Sequence, residues 1–175
     1  MAKNDNVLGV EKIEIGNPGD GIMGASLTEF NVVELNSVVF SGAESSEETI
    51  TTEQEDAYLT VGNVSNPTTF EFRLFEVWGT AAVLLLGGTF DSVNGEYLAP
   101  ESVPDKFLSI RLTSKAINGF YMEIEFPYAR VSARHDGSIT RNNLLAVAVN
   151  ATANTPVTDL GVKGAPYTIR KVAVI

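Results

Sequence analysis

The hydrophobic and polar positions of this chain alternate far more often than they recur at helical spacing. The plainest case is Tyr121-Met-Glu-Ile-Glu-Phe126, with Met122, Ile124 and Phe126 on one face and Tyr121, Glu123 and Glu125 on the other. A period of two marks a half-buried strand. Leu144–Val149 is apolar on both faces, with bulky Leu145, Val147 and Val149 opposite Ala146 and Ala148. This predicts a strand whose small-residue face is covered by a close neighbour, either a helix of this chain or another subunit. Asp136-Gly137 lies between and supplies left-handed turn positions. Gly119–Ala153 is therefore expected to be two long strands joined by a tight turn.

The rest of the chain follows the same grammar. Val7–Ile15 reads as a strand that ends in the turn formers Gly16-Asn-Pro-Gly-Asp-Gly21. That loop lacks the Lys and Ser/Thr of a phosphate-binding loop and opens no helix, so it is a turn. Leu27–Glu34 and Ser37–Ser41 read as strands around Leu35-Asn36. Tyr58–Val61 reads as a strand closed by Gly62-Asn63. Thr68–Val77 places Phe70, Phe72 and Leu74 on one face; Lys106–Ser114 places Leu108, Ile110 and Leu112 inward and Arg111 outward. Thr89–Asp91 and Glu96–Leu98 flank Asn94-Gly95, a strong hairpin signal, and Asn118-Gly119 marks another turn. One helix is expected, Trp78–Leu86, stopped by Gly87-Gly88. It is short and mostly apolar, which assigns Trp78 to core packing. Tyr167–Ile175 reads as a strand that needs a sheet edge, its own or another subunit's. The fold class is mostly β with one short helix.

Composition changes this picture mainly through charge. The chain has 175 residues and a net charge of −10. Between Ile13 and Phe72 there are eleven acids and no Lys or Arg, and residues 41–56 alone hold six acids. Such a run reads as a solvated long loop or extended hairpin. The imbalance serves solubility, or it meets something in particular: the basic half of an identical neighbour, or a polyanion that must not stick. It disfavours ordinary nucleic-acid binding, which draws its affinity from Lys and Arg. The longest apolar run, Ala81-Ala-Val-Leu-Leu-Leu86, is far below the roughly 20 residues of a membrane helix. The polar opening Met1–Asn6 has no apolar stretch behind it, so no secretory signal is expected.

Candidate chemistry is sparse. The lone His135 precedes a turn, and with no cysteine a Cys/His metal site is impossible. Asp20–Glu29 and Glu44–Asp56 do not fit the calcium-loop pattern. Glu123 and Glu125, about 7 Å apart by strand rise, have the separation of a glycosidase carboxylate pair, a spacing that any water-facing strand also produces. Asn63-Val-Ser65 and Asn150-Ala-Thr152 match glycosylation acceptors, a pattern common by chance. No Ser, His and Asp constellation is available. No catalytic, cofactor or metal-binding residue is expected, and the chain reads as a non-enzyme.

The order of elements resembles the tail tube (major tail) protein of long-tailed bacteriophages. The resemblance lies in the strand Thr68–Val77, the short helix ending Leu84-Leu-Leu-Gly-Gly88, the Asn94-Gly95 region ending Leu98-Ala-Pro100, the strand Lys106–Ser114, and the hairpin Tyr121–Ala153 with its rhythm Tyr128-Ala-Arg-Val131, Ser138-Ile-Thr140, Leu144–Ala151. It covers about half the chain and is a likeness of pattern, with no signature motif. It implies an antiparallel β-sandwich or barrel with a flanking helix, a long loop and extended termini: a single domain with its core at 7–153, an acidic loop or hairpin at 41–56 and a C-terminal extension at 154–175. It further implies a virion protein made in the host cytoplasm. Its subunits would close into rings, six to a ring, that stack into a tube for DNA; the alternatives are another virion or secretion-system ring, tube or decoration protein, and a ligand-binding β-sandwich module. The partners so implied are other copies of the chain, tape-measure, tail-tip or baseplate and terminator proteins, and transiting DNA held without tight binding, with no membrane. On this reading Glu29, Glu34, Glu44, Glu47 and Glu48 are candidates for an acidic lumen that repels phosphate. Glu53, Glu55, Asp56, Arg170 and Lys171 are candidates for contacts between subunits or rings, where opposite charges fix register.

Overall fold

The computed structural model describes residues 9–54, 59–75, 78–141 and 143–174. Twelve strands and one helix run in the order β1 (Val10–Gly16), β2 (Thr28–Phe30), β3 (Val39–Ser41), β4 (Glu44–Ile50), β5 (Leu59–Asn66), β6 (Thr69–Leu74), α1 (Gly79–Leu86), β7 (Thr89–Asp91), β8 (Glu96–Leu98), β9 (Lys106–Ser114), β10 (Phe120–Asp136), β11 (Ala146–Ala153) and β12 (Thr168–Ala173). Every strand pairing is antiparallel. The protein is mostly β with one short helix, as its alternation predicts.

The main sheet runs β2-β1-β9-β10-β11-β6-β3, and it rolls up because one stretch of chain serves both of its edges. β2 pairs with β1, with Ile13 opposite Phe30. Just past Phe30 the chain leaves β1 and pairs with β6 instead: Val33 bridges Leu74, the Glu34 amide donates to the Arg73 carbonyl at 2.9 Å, and the Phe75 amide donates to Val32 at 3.0 Å. After the Leu35-Asn36 turn, where Asn36 has φ 61°, β3 continues along the same edge of β6. The sheet thereby curls into a barrel whose two edges are bordered by the one stretch 28–41. Its interior takes the inward positions of each strand: Ile13 and Ile15, Phe70, Phe72 and Leu74, Leu108, Ile110 and Leu112, Ile124 and Phe126, Val147 and Val149.

β10 is the longest element because it has three partners. Residues 123–131 pair with β9, residues 129–136 with β11, and residues 120–125 with β12. A bulge between Phe126 and Ala129 carries the strand past Pro127. There the buried Ser109 hydroxyl donates to the Pro127 carbonyl at 2.7 Å and accepts the Gly24 amide at 3.0 Å. The β9–β10 turn is Asn118-Gly119, both left-handed at φ 51° and 79°, as a two-residue hairpin requires. The β10–β11 connection departs from expectation. Asp136 pairs with Ala146, so the connection is longer than a tight turn, and Thr140 bridges Asn143 within it. Among the described residues there, Gly137 alone has positive φ, and the strand does not resume until Ala146.

The helix packs on β10, and Ala82, Leu85 and Leu86 join the core. Gly87 ends it at φ 82°, its amide bonded to the Val83 carbonyl. The Lys106 ammonium closes the last turn, donating to Val83 and Leu84 at 2.6 and 2.7 Å, and burial lowers its pKa. Trp78 departs from its expected core role. It stands just before the helix, 60% exposed, edge-on to Phe90.

β4 and β5 form a separate two-stranded ribbon. The expected stop at Gly62-Asn63 does not occur, because Gly62 pairs with Glu47 and Asn63 with Ser46 and the strand continues to Asn66. Residues 55–58, among them the first residue of the predicted strand Tyr58–Val61, lie outside the described residues, as do Val7 and Val77.

Candidate functional site

The outer face of the barrel carries a chain of alternating charges that crosses five neighbouring strands. On β1, Lys12 Nζ lies 2.7 Å from Glu29 of β2 and 3.4 Å from Glu14. The other Glu14 oxygen is 3.6 Å from Arg111 on β9, whose Nε donates to Glu125 on β10 at 2.9 Å. Arg170 on β12 donates from Nε to Glu123 at 2.6 Å and from its terminal nitrogen to Glu125 at 3.1 Å. The geometry follows from register: Glu14 is opposite Arg111, Arg111 opposite Glu125, and Glu123 opposite Arg170. Opposite charges facing one another across strands attract. The pKa of Lys12 is raised, chiefly by its hydrogen bond to Glu29, and that of Glu29 is lowered by the same bond. The pKa of Arg170 is raised, chiefly by Glu123.

This arrangement settles where Glu123 and Glu125 stand. Both carboxylates are 12% exposed and are held by arginine. They anchor β12 and do not face one another across an open cleft. Replacing Arg170 by Ala is expected to loosen β12 by about 1–2 kcal/mol, discounted because the guanidinium is more than half exposed. Hydrogen exchange should speed up at residues 168–173 while the β9 and β11 amides stay protected; uniform protection in the variant would show that the ladder does not hold the strand.

The candidate residues named from sequence do not gather in one place. Glu29 belongs to the ladder. Glu34 lies 2.8 Å from Arg73, an ion pair outside hydrogen-bond geometry, and Arg73 also reaches Asp136 at 3.4 Å. Glu44, Glu47 and Glu48 sit on β4, in a sheet separate from the main one, and the first two are exposed. Glu53 is exposed just beyond β4, and Glu55 and Asp56 lie outside the described residues. Arg170 and Lys171 are neighbours on β12, one in the ladder and the other with its ammonium 4.5 Å above the Phe120 ring. The His135 ring stands edge-on to Tyr97, and the Asn150 amide donates to Glu71 at 2.7 Å. Lys12, Glu14 and Arg111 escaped the sequence reading because the contacts Lys12–Glu29, Glu14–Arg111 and Arg111–Glu125 are made across strands and depend on register.

A cavity of about 670 Å³ opens at the barrel end where β1 and β10 begin and β9 finishes. It exists because the chain after Phe30 swings from β1 to β6 and leaves a V between residues 9–11 and 31–40. Phe70, Leu112 and Ile124 form its floor, and Leu35, Phe40 and Lys115 stand among its lining. Among the described residues no group of acidic or imidazole side chains could hold a metal ion. No helix among them is long and apolar enough to cross a membrane. No family model matches the chain, and no curated protein matches it.

Proposed function

We propose that this chain is the tube subunit of a long-tailed bacteriophage tail, which closes into rings and stacks them around a passage for DNA. The observation that carries the reading is the ribbon β4–β5, which forms a sheet of its own apart from the main sheet and lies within a segment that carries half a dozen acids and no base, an element suited to reach a neighbouring copy and fix its register. The acidic balance lets a phosphate polymer pass without binding.

The test is negative-stain electron microscopy with sedimentation across a concentration series. Hollow rings or tubes are the expected result. A protein that stays monomeric at every concentration, with purified tail tips present as well as without them, overturns the reading. Reversing the ribbon's charge (Glu44→Lys, Glu47→Lys, Glu48→Lys) is expected to weaken ring stacking about tenfold or more, roughly 1.4 kcal/mol, with subunit stability unchanged. Tubes of unchanged length and yield would remove the ribbon from the stacking contact.

A ligand-binding β-module is the second reading, and the exposed Trp78 beside Phe90 favours it. Trp78 is the single tryptophan, so its emission reports this site alone. Saturable quenching by an oligosaccharide, in a protein that forms no particles, would put this reading first.

A further inference from the structure

The cavity between residues 9–11 and 31–40 joins an apolar floor to a charged mouth. The floor is Phe70, Leu112 and Ile124, all buried. Each charge at the mouth has a local cause. β1 bulges between Val10 and Lys12, so Val10 and Glu11 together oppose Ser114 of β9. A regular strand sends neighbouring side chains to opposite faces. The bulge re-aims the chain there, and both residues line the cavity. Lys115 stands just past β9, its amide bonded to the Gly9 carbonyl at 3.4 Å. Its aliphatic stem runs over Gly9, where an added Cβ would come 3.3 Å from Lys115 Cδ. Gly9 has φ 64°, a left-handed position, so it both allows the backbone and makes room for the lysine.

Other polar side chains of the lining are already engaged. Glu34 is held by Arg73 at 2.8 Å, and Asn31 hydrogen-bonds Glu29. The side chains of Glu11 and Lys115 are exposed and make no hydrogen bond or ion pair among the described residues, not even with each other. One carboxylate and one ammonium therefore stand uncommitted over an apolar floor. A largely apolar cavity of several hundred Å³ with a few placed polar groups is the form of a small-molecule site, and 670 Å³ lies within that range.

The charge pair selects the ligand. An anion with an apolar tail would satisfy Lys115 and set its charge beside Glu11. An amine would do the reverse, and a wholly apolar body would crowd both charges and pair with neither. A molecule that carries both charges satisfies both. We propose that the cavity binds a compact zwitterion with an apolar body, a short peptide of apolar residues or a single apolar amino acid. Its ammonium meets Glu11, its carboxylate meets Lys115, and its side chains rest on Phe70, Leu112 and Ile124. The inference goes beyond the tube reading and does not rest on it.

The test is equilibrium dialysis of the full chain, at concentrations where sedimentation shows no assembly. The probes are phenylalanyl-leucine, its N-acetyl and C-amide forms, and free phenylalanine. Saturable binding is expected, with each cap weakening the dipeptide about tenfold or more. Glu11→Gln should weaken the uncapped dipeptide by the same factor, and N-acetylation should then cost nothing further. Lys115→Gln should do the same for the C-amide. This matching of each variant to one cap is a pattern that general damage to the fold does not produce. The tighter of dipeptide and free phenylalanine identifies the source of the zwitterion. No saturable binding of either overturns the proposal. Capped forms bound as tightly as the free dipeptide, or binding unmoved in both variants, overturn it as well. Each of these results leaves the tube reading to the microscopy.

Discussion

Phe126→Ala is expected to lower the free energy of unfolding by about 3–5 kcal/mol, the largest loss from any single core truncation here. Phe126 is fully buried on β10 and lies where three parts of the fold meet. Its ring is stacked on Phe70 of β6 at 5.3 Å, is 6.1 Å from Phe40 of β3, and is 6.0 Å from Tyr167 at the root of β12. Truncation removes the transfer free energy of the ring and leaves a cavity that four strands cannot all close upon at once. The midpoint of thermal unfolding should fall on the order of 10 °C for a chain of this length. Urea titration followed by circular dichroism measures the effect. Phe107→Ala is the control: Phe107 is stacked on Tyr128 at 4.7 Å but partly exposed on the outer face, and should cost about 1 kcal/mol. Equal losses at the two sites would mean that the barrel interior does not carry the stability.

Gly88→Ala is expected to cost about 2–4 kcal/mol although it adds one methyl group. Gly88 has φ 77°, and an added Cβ would come within 2.1 Å of the Leu98 carbonyl oxygen. That oxygen is backbone, at the point where Thr89 pairs with Leu98, so the hairpin itself would have to move. Gly62→Ala on β5 is the matched control. Its Cβ would meet nothing within 4 Å and its φ is not left-handed, so the change should stay within about 0.5 kcal/mol. If Gly88→Ala unfolds at the wild-type urea midpoint, the close approach of the two backbones is not tight in solution.

Local pattern carried much of this fold into the sequence. Phe70, Phe72 and Leu74 predict β6, and all three are buried. Lys106–Ser114 is β9 at the expected bounds, and Gly87-Gly88 ends the one helix. These readings work because each depends on residues a few positions apart. Where they fail, a distant partner decides. Gly62-Asn63 looks like a stop, but in a ribbon the facing strand supplies the hydrogen bonds, and Glu47 and Ser46 hold the pairing through it. Asp136-Gly137 looks like a two-residue turn, but the register with Ala146 is fixed by the whole β10–β11 ladder. The charge ladder was illegible for the same reason: Arg170 and Glu125 are neighbours only once β12 is docked. Of the candidate acids, nothing local showed that Glu29 and Glu34 each face a cation.

The two sides of β10 at residues 120–125 are completed at different moments of synthesis. One side receives β9 through the Asn118-Gly119 turn almost as soon as it is made. The other waits for Thr168–Ala173, since Glu125 pairs with Thr168 and Phe120 with Ala173. At ordinary translation rates that delay is about 2–10 s. Throughout it a nascent chain shows its neighbours on the same messenger a bare strand edge, backed by Phe120, Met122 and Ile124. Codon choice over residues 126–167 therefore bears on how long a ribosome-bound copy is open to mispairing.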